Sequence, residues 1–333
     1  MTAIPSSPDE SERSTPGAFS GAAAGPLLAC VPNVSEGRDE AAIDALAAAA
    51  ASVPGAALLH VDPDPWHHRT VLTLAGRPEA AAEAVFRLVR EAVDRIDLTA
   101  HSGQHPRIGA ADVVPFVPLE GLDLGDLPAA GMDACVATAR SYGRRIADEL
   151  DLPVFLYGEA ALREGREAPA PFRKGGFEAL RESIAEDPTR EPDLGPRRVH
   201  PTAGAVAVGA RPPLVAFNVY LATDDVEAAR RIARRIRTSG GGLPALQALG
   251  FAVRGQAQVS MNLLDLDATP PLRALEAVRE EAEREGVATD GSEIVGLLPA
   301  RALPEDPDRA LALRTPAAGR VLEDRIRESL GGG

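Results

Sequence analysis

His101-Ser102-Gly103-Gln104-His105-Pro106-Arg107-Ile108-Gly109-Ala110-Ala111-Asp112 runs straight into Val113-Val114-Pro115-Phe116-Val117-Pro118. The first part is a loop bent by glycine and proline and loaded with ionisable groups. The second is an apolar run of strand length. Ionisable side chains on a loop that feeds a rigid strand are the layout of a site on a scaffold. Histidine exchanges a proton near neutral pH, and arginine is a fixed cation that grips carboxylates. The competing reading is a polar surface loop, and the flanking elements decide between the two.

Upstream of that loop the chain alternates. Leu27 to Val31 reads as a strand, Asp39 to Ser52 as a helix, and Ala56 to Val61 and Thr70 to Leu74 as two more strands. Pro78 opens a helix whose stripe is Val85, Leu88, Val89, Ala92 and Ile96. The strand Val113 to Val117 then completes a βαββαβ order. Downstream, Asp126 is expected to cap a long helix to about Leu150, Val154 to Tyr157 to be a further strand, and residues 161–203 to be turn-rich.

The pattern then restarts. Leu214 to Leu221 is a strand, and Asp224 with Glu227 opens a helix that Gly240-Gly241-Gly242 ends. Leu246 to Val253 and Gln258 to Leu264 are adjacent strands. A helix follows Thr269-Pro270-Pro271, then a strand from Ile294 to Leu298 and a closing helix from about Ala317 to Leu330. This is βαββαβ again. The expected fold class is therefore α/β (α+β): two ferredoxin-like βαββαβ subdomains with helices outside, packed sheet to sheet because bare sheet faces cannot stay wet. The expected boundaries are a disordered tail at 1–26, a first subdomain at 27–204, a linker at 205–213 and a second subdomain at 214–331. No sequence repeat relates the halves.

Composition narrows the function classes. With 333 residues and 45% apolar content the chain can bury a sizeable core. Aromatics are only 4%, so that core is Ala, Leu and Val. A formal charge of −14 argues against nucleic-acid binding, which needs a basic face, but leaves room for a local cationic pocket. Lys174 is the one lysine, so the positive charge is nearly all arginine. Cys30 and Cys135 form no CxxC pair, which favours reduced thiols. No apolar run approaches the roughly 18–20 residues of a membrane span, and residues 1–26 lack a signal-peptide layout. A cytoplasmic protein with no membrane partner is expected.

Five of the six histidines, His60, His67, His68, His101 and His105, fall on two loops of the first half. Such crowding invites a metal, but the spacing matches no HExxH or Cys-containing zinc signature. Acid–base chemistry through one histidine, without a metal, is the preferred reading. Gly195-Pro196-Arg197-Arg198-Val199-His200-Pro201-Thr202-Ala203-Gly204 reads as a ligand loop offering backbone donors and arginines, or as an interdomain connection. The run Ala205-Val206-Ala207-Val208 favours a packed segment over a floppy tether. Gly240-Gly241-Gly242 lacks the order of a phosphate loop. Asn262 and Asp265, at a strand end, either line the groove between the sheets or pair with backbone.

Several stretches together carry a resemblance. They are Cys30-Val31-Pro32-Asn33-Val34-Ser35-Glu36-Gly37, Asp62 with His68-Arg69-Thr70-Val71, His105-Pro106-Arg107-Ile108-Gly109-Ala110 with Asp112, and Tyr157-Gly158-Glu159-Ala160. Gly195-Pro196 with Gly204-Ala205, Ala216-Phe217-Asn218, Gln258-Val259-Ser260 with Asn262-Leu263-Leu264-Asp265, and Val295-Gly296-Leu297 continue it. In this order, from about Leu27 to about Pro299, the chain resembles the glutamate formimidoyltransferase family. No second, cyclodeaminase domain of the kind some members carry falls within it.

The resemblance implies two α/β halves packed sheet to sheet around a folate-holding groove, and a homodimer. It implies transfer of a formimino group from N-formimino-L-glutamate to tetrahydrofolate, a step of histidine breakdown, with His105 as general base and acid. The folate-contacting segment maps onto Gly195 to Gly204, where Ala203 replaces the aromatic of vertebrate members. His68 stands where an asparagine is common. Arg69, Arg107 and either Arg197 or Arg198 are the expected clamps of the anionic substrates, and Asp62 is a further expected substrate- or cofactor-binding residue. An N-formyl-glutamate formyltransferase, a metal-dependent formimino-glutamate hydrolase and a non-catalytic folate partner remain the alternatives.

Overall fold

A computed structural model of the chain describes residues 25–103 and 106–331. His105 and Gln104 lie outside the described residues, as does the expected disordered tail except for Gly25 and Pro26. The strands are β1 (Leu28–Cys30), β2 (Asn33–Val34), β3 (Ala56–Asp64), β4 (Arg69–Gly76), β5 (Ala111–Pro118), β6 (Val154–Gly158), β7 (Val206–Ala210), β8 (Val215–Leu221), β9 (Leu246–Val253), β10 (Gln256–Leu263) and β11 (Thr289–Val295). The helices are α1 (Glu40–Ala51), α2 (Pro78–Arg95), α3 (Met132–Leu150), α4 (Ala170–Arg173), α5 (Gly176–Ser183), α6 (Val226–Ile236), α7 (Pro271–Arg284), α8 (Pro307–Ala310) and α9 (Leu322–Leu330).

The first sheet has seven strands. β1 and β2 are two pieces of one line between β4 and β5, broken at Val31-Pro32. Proline offers no N–H to a ladder. β3 pairs with β4 at one edge, and β7 then β6 extend the sheet in parallel beyond β5. The second sheet has the order β11-β8-β10-β9 with antiparallel neighbours throughout. Two sheets in a mixed α/β fold match the expected class.

Period-two alternation divides each strand between core and groove. On β5, Val114 and Phe116 enter a core with α1, α2 and α3, while Val113, Pro115 and Val117 face a cavity. On β8, Phe217, Val219 and Leu221 pack under α6 and α7, while Ala216, Asn218 and Tyr220 face outward to the same groove system. The helices thus sit on the far side of each sheet from the groove.

Several expectations need correction. Residues 206–210, inside the expected linker, are the buried strand β7, because Ala205 to Val208 is apolar and pairs with β5 and β6. The chain crosses between the sheets over 211–214 instead. The closing helix α9 starts at Leu322, later than expected, and its Leu322 and Ile326 pack with Leu27, Ala29, Ala57 and Leu59 of the first half. α3 starts at Met132 after an uncapped Gly131, not at Asp126. The N-cap of α6 is Asp225, whose carboxylate accepts from the Glu227 N–H, and not Asp224. β11 ends at Val295, so the expected strand Ile294 to Leu298 is displaced toward the N-terminus. The turn-rich region holds the short helices α4 and α5. Gly240-Gly241-Gly242 does terminate a helix region: α6 stops at Ile236 and Gly241 adopts a left-handed conformation.

Two glycines let the loop before β5 touch the segment before β7. Gly109 and Gly204 face each other in a bridge. A Cβ on Gly109 would lie 1.8 Å from the Ala205 carbonyl, and one on Gly204, whose φ is +73°, would lie 2.1 Å from the Ile108 carbonyl. Gly204→Ala combines left-handed strain with a backbone clash and should cost about 3 kcal/mol. Urea unfolding measures this, and a loss below about 1 kcal/mol would show that the two segments separate freely.

Candidate active site

Two cavities lie between the sheets, of about 330 and about 290 Å³. Both are lined by Arg69 and Val71 of the first sheet and by Ala216, Gln247, Asn262 and Val295 of the second. These shared residues form a seam between two chambers of one groove.

Arg69 opens β4 with its guanidinium at that seam. Burial pulls its pKa down to about 10, opposed by Asp112 and Asp64 and reinforced by Arg173. It remains a cation at neutral pH. Asp112, at the head of β5, is buried. Its Oδ1 accepts the Ile108 N–H at 2.8 Å, and its Oδ2 accepts from Arg173. Arg173 also donates to the Pro106 carbonyl at 2.9 Å, and the Phe177 N–H donates to the Arg107 carbonyl at 2.7 Å. The short helices α4 and α5 therefore clasp the backbone on the C-terminal side of His105.

The first chamber carries Arg69, Arg173 and Arg211 on its wall. Arg211 shares a hydrogen bond with the Tyr157 phenol, and burial lowers the arginine and raises the tyrosine. Glu159 and Glu167 also line this chamber but are exposed. The second chamber carries Glu293, whose Oε1 accepts from Asn218 at 2.8 Å and Gln258 at 3.2 Å and whose Oε2 accepts from the Tyr220 hydroxyl at 3.0 Å. Burial and the adjoining carboxylate raise the Tyr220 pKa, so the phenol stays a donor.

Asp62 lines the second chamber and ties the two sheets together. Its Oδ2 accepts the Gly296 N–H at 2.7 Å and Arg320 at 2.9 Å. Burial opposes its ionisation, but the His60 ring, the Gly296 N–H and Arg320 outweigh that and hold the carboxyl at about 2.

Arg107 is spent elsewhere. Its guanidinium donates to both Glu178 oxygens at 3.1 and 2.9 Å, to the His101 ring Nδ1 at 2.8 Å and to the His101 carbonyl at 3.1 Å. It lines neither chamber. His101 is held near pKa 4, first by burial, against its bond to the His68 carbonyl and with the Arg107 guanidinium adding to the fall. Its ring lies flat on that of His68, centroids 4.0 Å apart at 7°. His68 sits between the Ser102 carbonyl at 2.9 Å and Glu36 at 3.1 Å. Glu36 also accepts three backbone N–H groups, of Gly37, Arg38 and Asp39. Those bonds and His68 overcome the burial that would raise it. Glu178, Arg107, His101, His68 and Glu36 thus form one connected run of side chains.

The segment 195–204 lies beside the loop before β5 and lines neither chamber. The Ala110 N–H donates to the Ala203 carbonyl and the Leu98 N–H to the Thr202 carbonyl, both at 2.9 Å. His200 turns inward, its Nδ1 accepting the Ala203 N–H at 3.0 Å. Val199 and Ala203 are buried, and the left-handed Gly195 packs against the Leu152 carbonyl. Pro196 and Pro201 bend the chain between these contacts. Arg197 reaches the Ile184 carbonyl at 3.1 Å, and Arg198 pairs with Asp151 at the exposed surface.

Sequence reading thus found Asp62 and Arg69 on the groove and missed Arg173, Arg211, Tyr157 and Glu293 as wall residues. The alternation in Val215–Leu221 and Gln256–Leu263, with polar Asn218, Tyr220, Gln258, Ser260 and Asn262 on one face, was the signal available for the second sheet. Among the described residues no three His, Cys, Asp or Glu side chains converge as they would around a metal ion.

Both depressed groups set an acid dependence. A depressed pKa contributes stability above the unfolded value and loses it as pH falls through the folded one. For Asp62 that window runs from 3.8 down to about 2 and is worth about 2 kcal/mol. For His101 it runs from 6.5 down to about 4. Urea unfolding between pH 7 and 4 should show a falling limb that His101→Gln flattens. A limb unchanged in that variant would contradict a half-buried neutral ring.

A family model described as "Formiminotransferase domain, N-terminal subdomain" matches residues 27–211, and one described as "Formiminotransferase domain" matches residues 216–308. The chain is 44% identical over 279 residues to a glutamate formimidoyltransferase of Streptococcus pyogenes serotype M1, covering 83% of this chain and 90% of that one. It is 42% identical over 307 residues to a glutamate formimidoyltransferase of Thermoplasma acidophilum, covering 91% and 98%. It is also 42% identical over 285 residues to the formimidoyltransferase-cyclodeaminase of Sus scrofa, covering 83% of this chain and 51% of that protein. Two family models in tandem and these relatives place the chain in the formiminotransferase family.

Proposed function

We propose that this protein transfers the formimino group of N-formimino-L-glutamate to tetrahydrofolate, releasing L-glutamate. The observation that carries this reading is the pair of chambers joined at one cationic seam. Two substrates held side by side turn a bimolecular step into an intramolecular one, and that proximity supplies much of the rate. Family membership names the substrates; the residues supply the chemistry.

Tetrahydrofolate supplies a ring nitrogen as nucleophile. The bond that forms joins that nitrogen to the amidine carbon, and the bond that breaks joins the same carbon to the glutamate nitrogen. One proton must leave the attacking nitrogen and one must reach the departing nitrogen. His105 takes the first and delivers the second, which balances the step without a metal. Arg69 at the seam stabilises the anionic groups beside the reacting carbon. Arg107 serves as a positioning residue through Glu178 and His101 rather than as a substrate clamp.

The segment 195–204 supports this site from behind, through bonds from Leu98 and Ala110 and the Gly204 bridge to Gly109. Folate contact there would come at its exposed edge, where Arg197 and Arg198 stand. The β8-α6-β9-β10-α7-β11 unit, with its strand order, fits the ferredoxin-like description, and the first half fits it with β6 and β7 added. A cytoplasmic homodimer belongs to the same reading. Among the described residues no helix is long and apolar enough to cross a membrane.

Glutamate release should require both N-formimino-L-glutamate and tetrahydrofolate and should persist in chelator. His105→Ala should lower turnover about a hundredfold or more with the far-UV spectrum unchanged. A variant within threefold of wild type would remove His105 from the mechanism. Release without folate that chelator abolishes would mean a hydrolase, and activity only with N-formyl-glutamate would mean a formyltransferase.

A further inference from the structure

The His68 ring meets an acceptor at each nitrogen. Its Nδ1 lies 2.9 Å from the Ser102 carbonyl oxygen, and its Nε2 lies 3.1 Å from Glu36 Oε1. A carbonyl cannot donate. Glu36 Oε1 cannot either, since the same oxygen accepts the Gly37, Arg38 and Asp39 N–H groups. Burial opposes that charge, but these bonds prevail and hold the carboxyl below its usual range. Two acceptors facing one imidazole call for a proton on each nitrogen. The neighbouring ring carries one. His101 Nδ1 accepts from the Arg107 Nε–H at 2.8 Å, so its single proton sits on Nε2 and is donated to the His68 carbonyl at 3.1 Å. The two rings lie 4.0 Å apart, and an imidazolium on a neutral imidazole avoids the repulsion that two cations would suffer there.

Resting on the formimino-transfer reading, we propose that His68 is a positioning residue whose doubly protonated ring fixes the chain on both sides of His105. On the N-terminal side it holds the Ser102 carbonyl directly. On the C-terminal side it supports the His101 ring, which receives Arg107. Ser102 and Arg107 are thus tied to one pair of stacked rings, and Glu36 anchors that pair to the turn before α1. The His68 backbone is left-handed, with φ +52°, a conformation that His and Asn adopt more readily than most residues. Loss of one ring proton leaves a single donor, so either Ser102 or Glu36 then faces a nitrogen lone pair. Turnover therefore falls as pH rises through this step, whereas the same rise favours the base form of His105. The other ionisable groups around the ring pair are Arg38, bonded to the Pro65 carbonyl, the Asp64–His67 pair, and Arg107 with Glu178. Among the described residues none of these donates to the Ser102 carbonyl.

The pH profile and the ring spectrum of His68 test this together. Wild-type kcat should fall on the alkaline side of neutral. His68→Asn keeps the left-handed turn but carries no titrating proton. It should lower the plateau kcat about tenfold, leave KM for both substrates within about twofold, and abolish the alkaline fall. Glu36→Gln removes the ion pair and should move the fall about one pH unit toward acid. Far-UV spectra and melting curves check that both variants fold. The second readout needs no turnover: NMR of protein labelled on the histidine ring nitrogens, with His68 assigned by its absence from His68→Asn. Both His68 nitrogens should carry a proton on the acid side of the fall, and one on the alkaline side. A singly protonated His68 on the acid side, a parallel alkaline fall in wild type and His68→Asn, or an effect confined to KM would overturn the assignment. Wild-type protein without folate-dependent glutamate release would defeat the reaction reading, and the ring spectrum would still decide whether His68 holds two protons.

Discussion

A partly buried arginine cation between two sheets is the constraint from which the rest follows. Arg69 is costly to place there, since desolvation disfavours its charge and pulls its pKa to about 10. Asp112 and Asp64 offset that cost from the first half. Asp112 in turn is fixed by the Ile108 N–H and by Arg173, so the loop before β5, the helix α4 and the seam are one electrostatic unit. Moving any one of them strands a charge in a poorly solvated place.

The sheets can meet over such a charge because their inner faces are not apolar throughout. Ordinary sheet packing would turn valine and leucine toward each other. Here Asn218, Tyr220, Ser260, Asn262 and Glu293 face the groove from the second sheet. Close packing gives way to chambers, and the halves are joined at the rim instead. The Asp62 bonds to Gly296 and Arg320, and the burial of Leu322 and Ile326 against the first half, make that join.

Much of this was legible in the sequence. The βαββαβ order of each half follows from apolar runs and their punctuation, while Asp62 and Arg69 were singled out by the family resemblance and line the groove. What escaped was pairing at a distance. Val206 to Ala210 looked like a connection because its partners, β5 and β6, are remote in sequence. Arg107 looked like a substrate clamp because nothing local reveals Glu178, 71 residues on. Arg173 and Arg211 sit in unpatterned stretches, and only the closed fold brings them to one wall. The segment 195–204 was recognised by resemblance, yet its Thr202 and Ala203 carbonyls are taken by Leu98 and Ala110, which no spacing could tell.

The account stands on two substrates meeting at the Arg69 seam. A crystal structure of the protein with 5-formyltetrahydrofolate and L-glutamate bound together tests it most directly. The account predicts one ligand in each chamber, with the folate ring nitrogen and the glutamate nitrogen converging within reach of the Arg69 guanidinium. Both ligands in one chamber, or either one bound outside the inter-sheet groove, would contradict it.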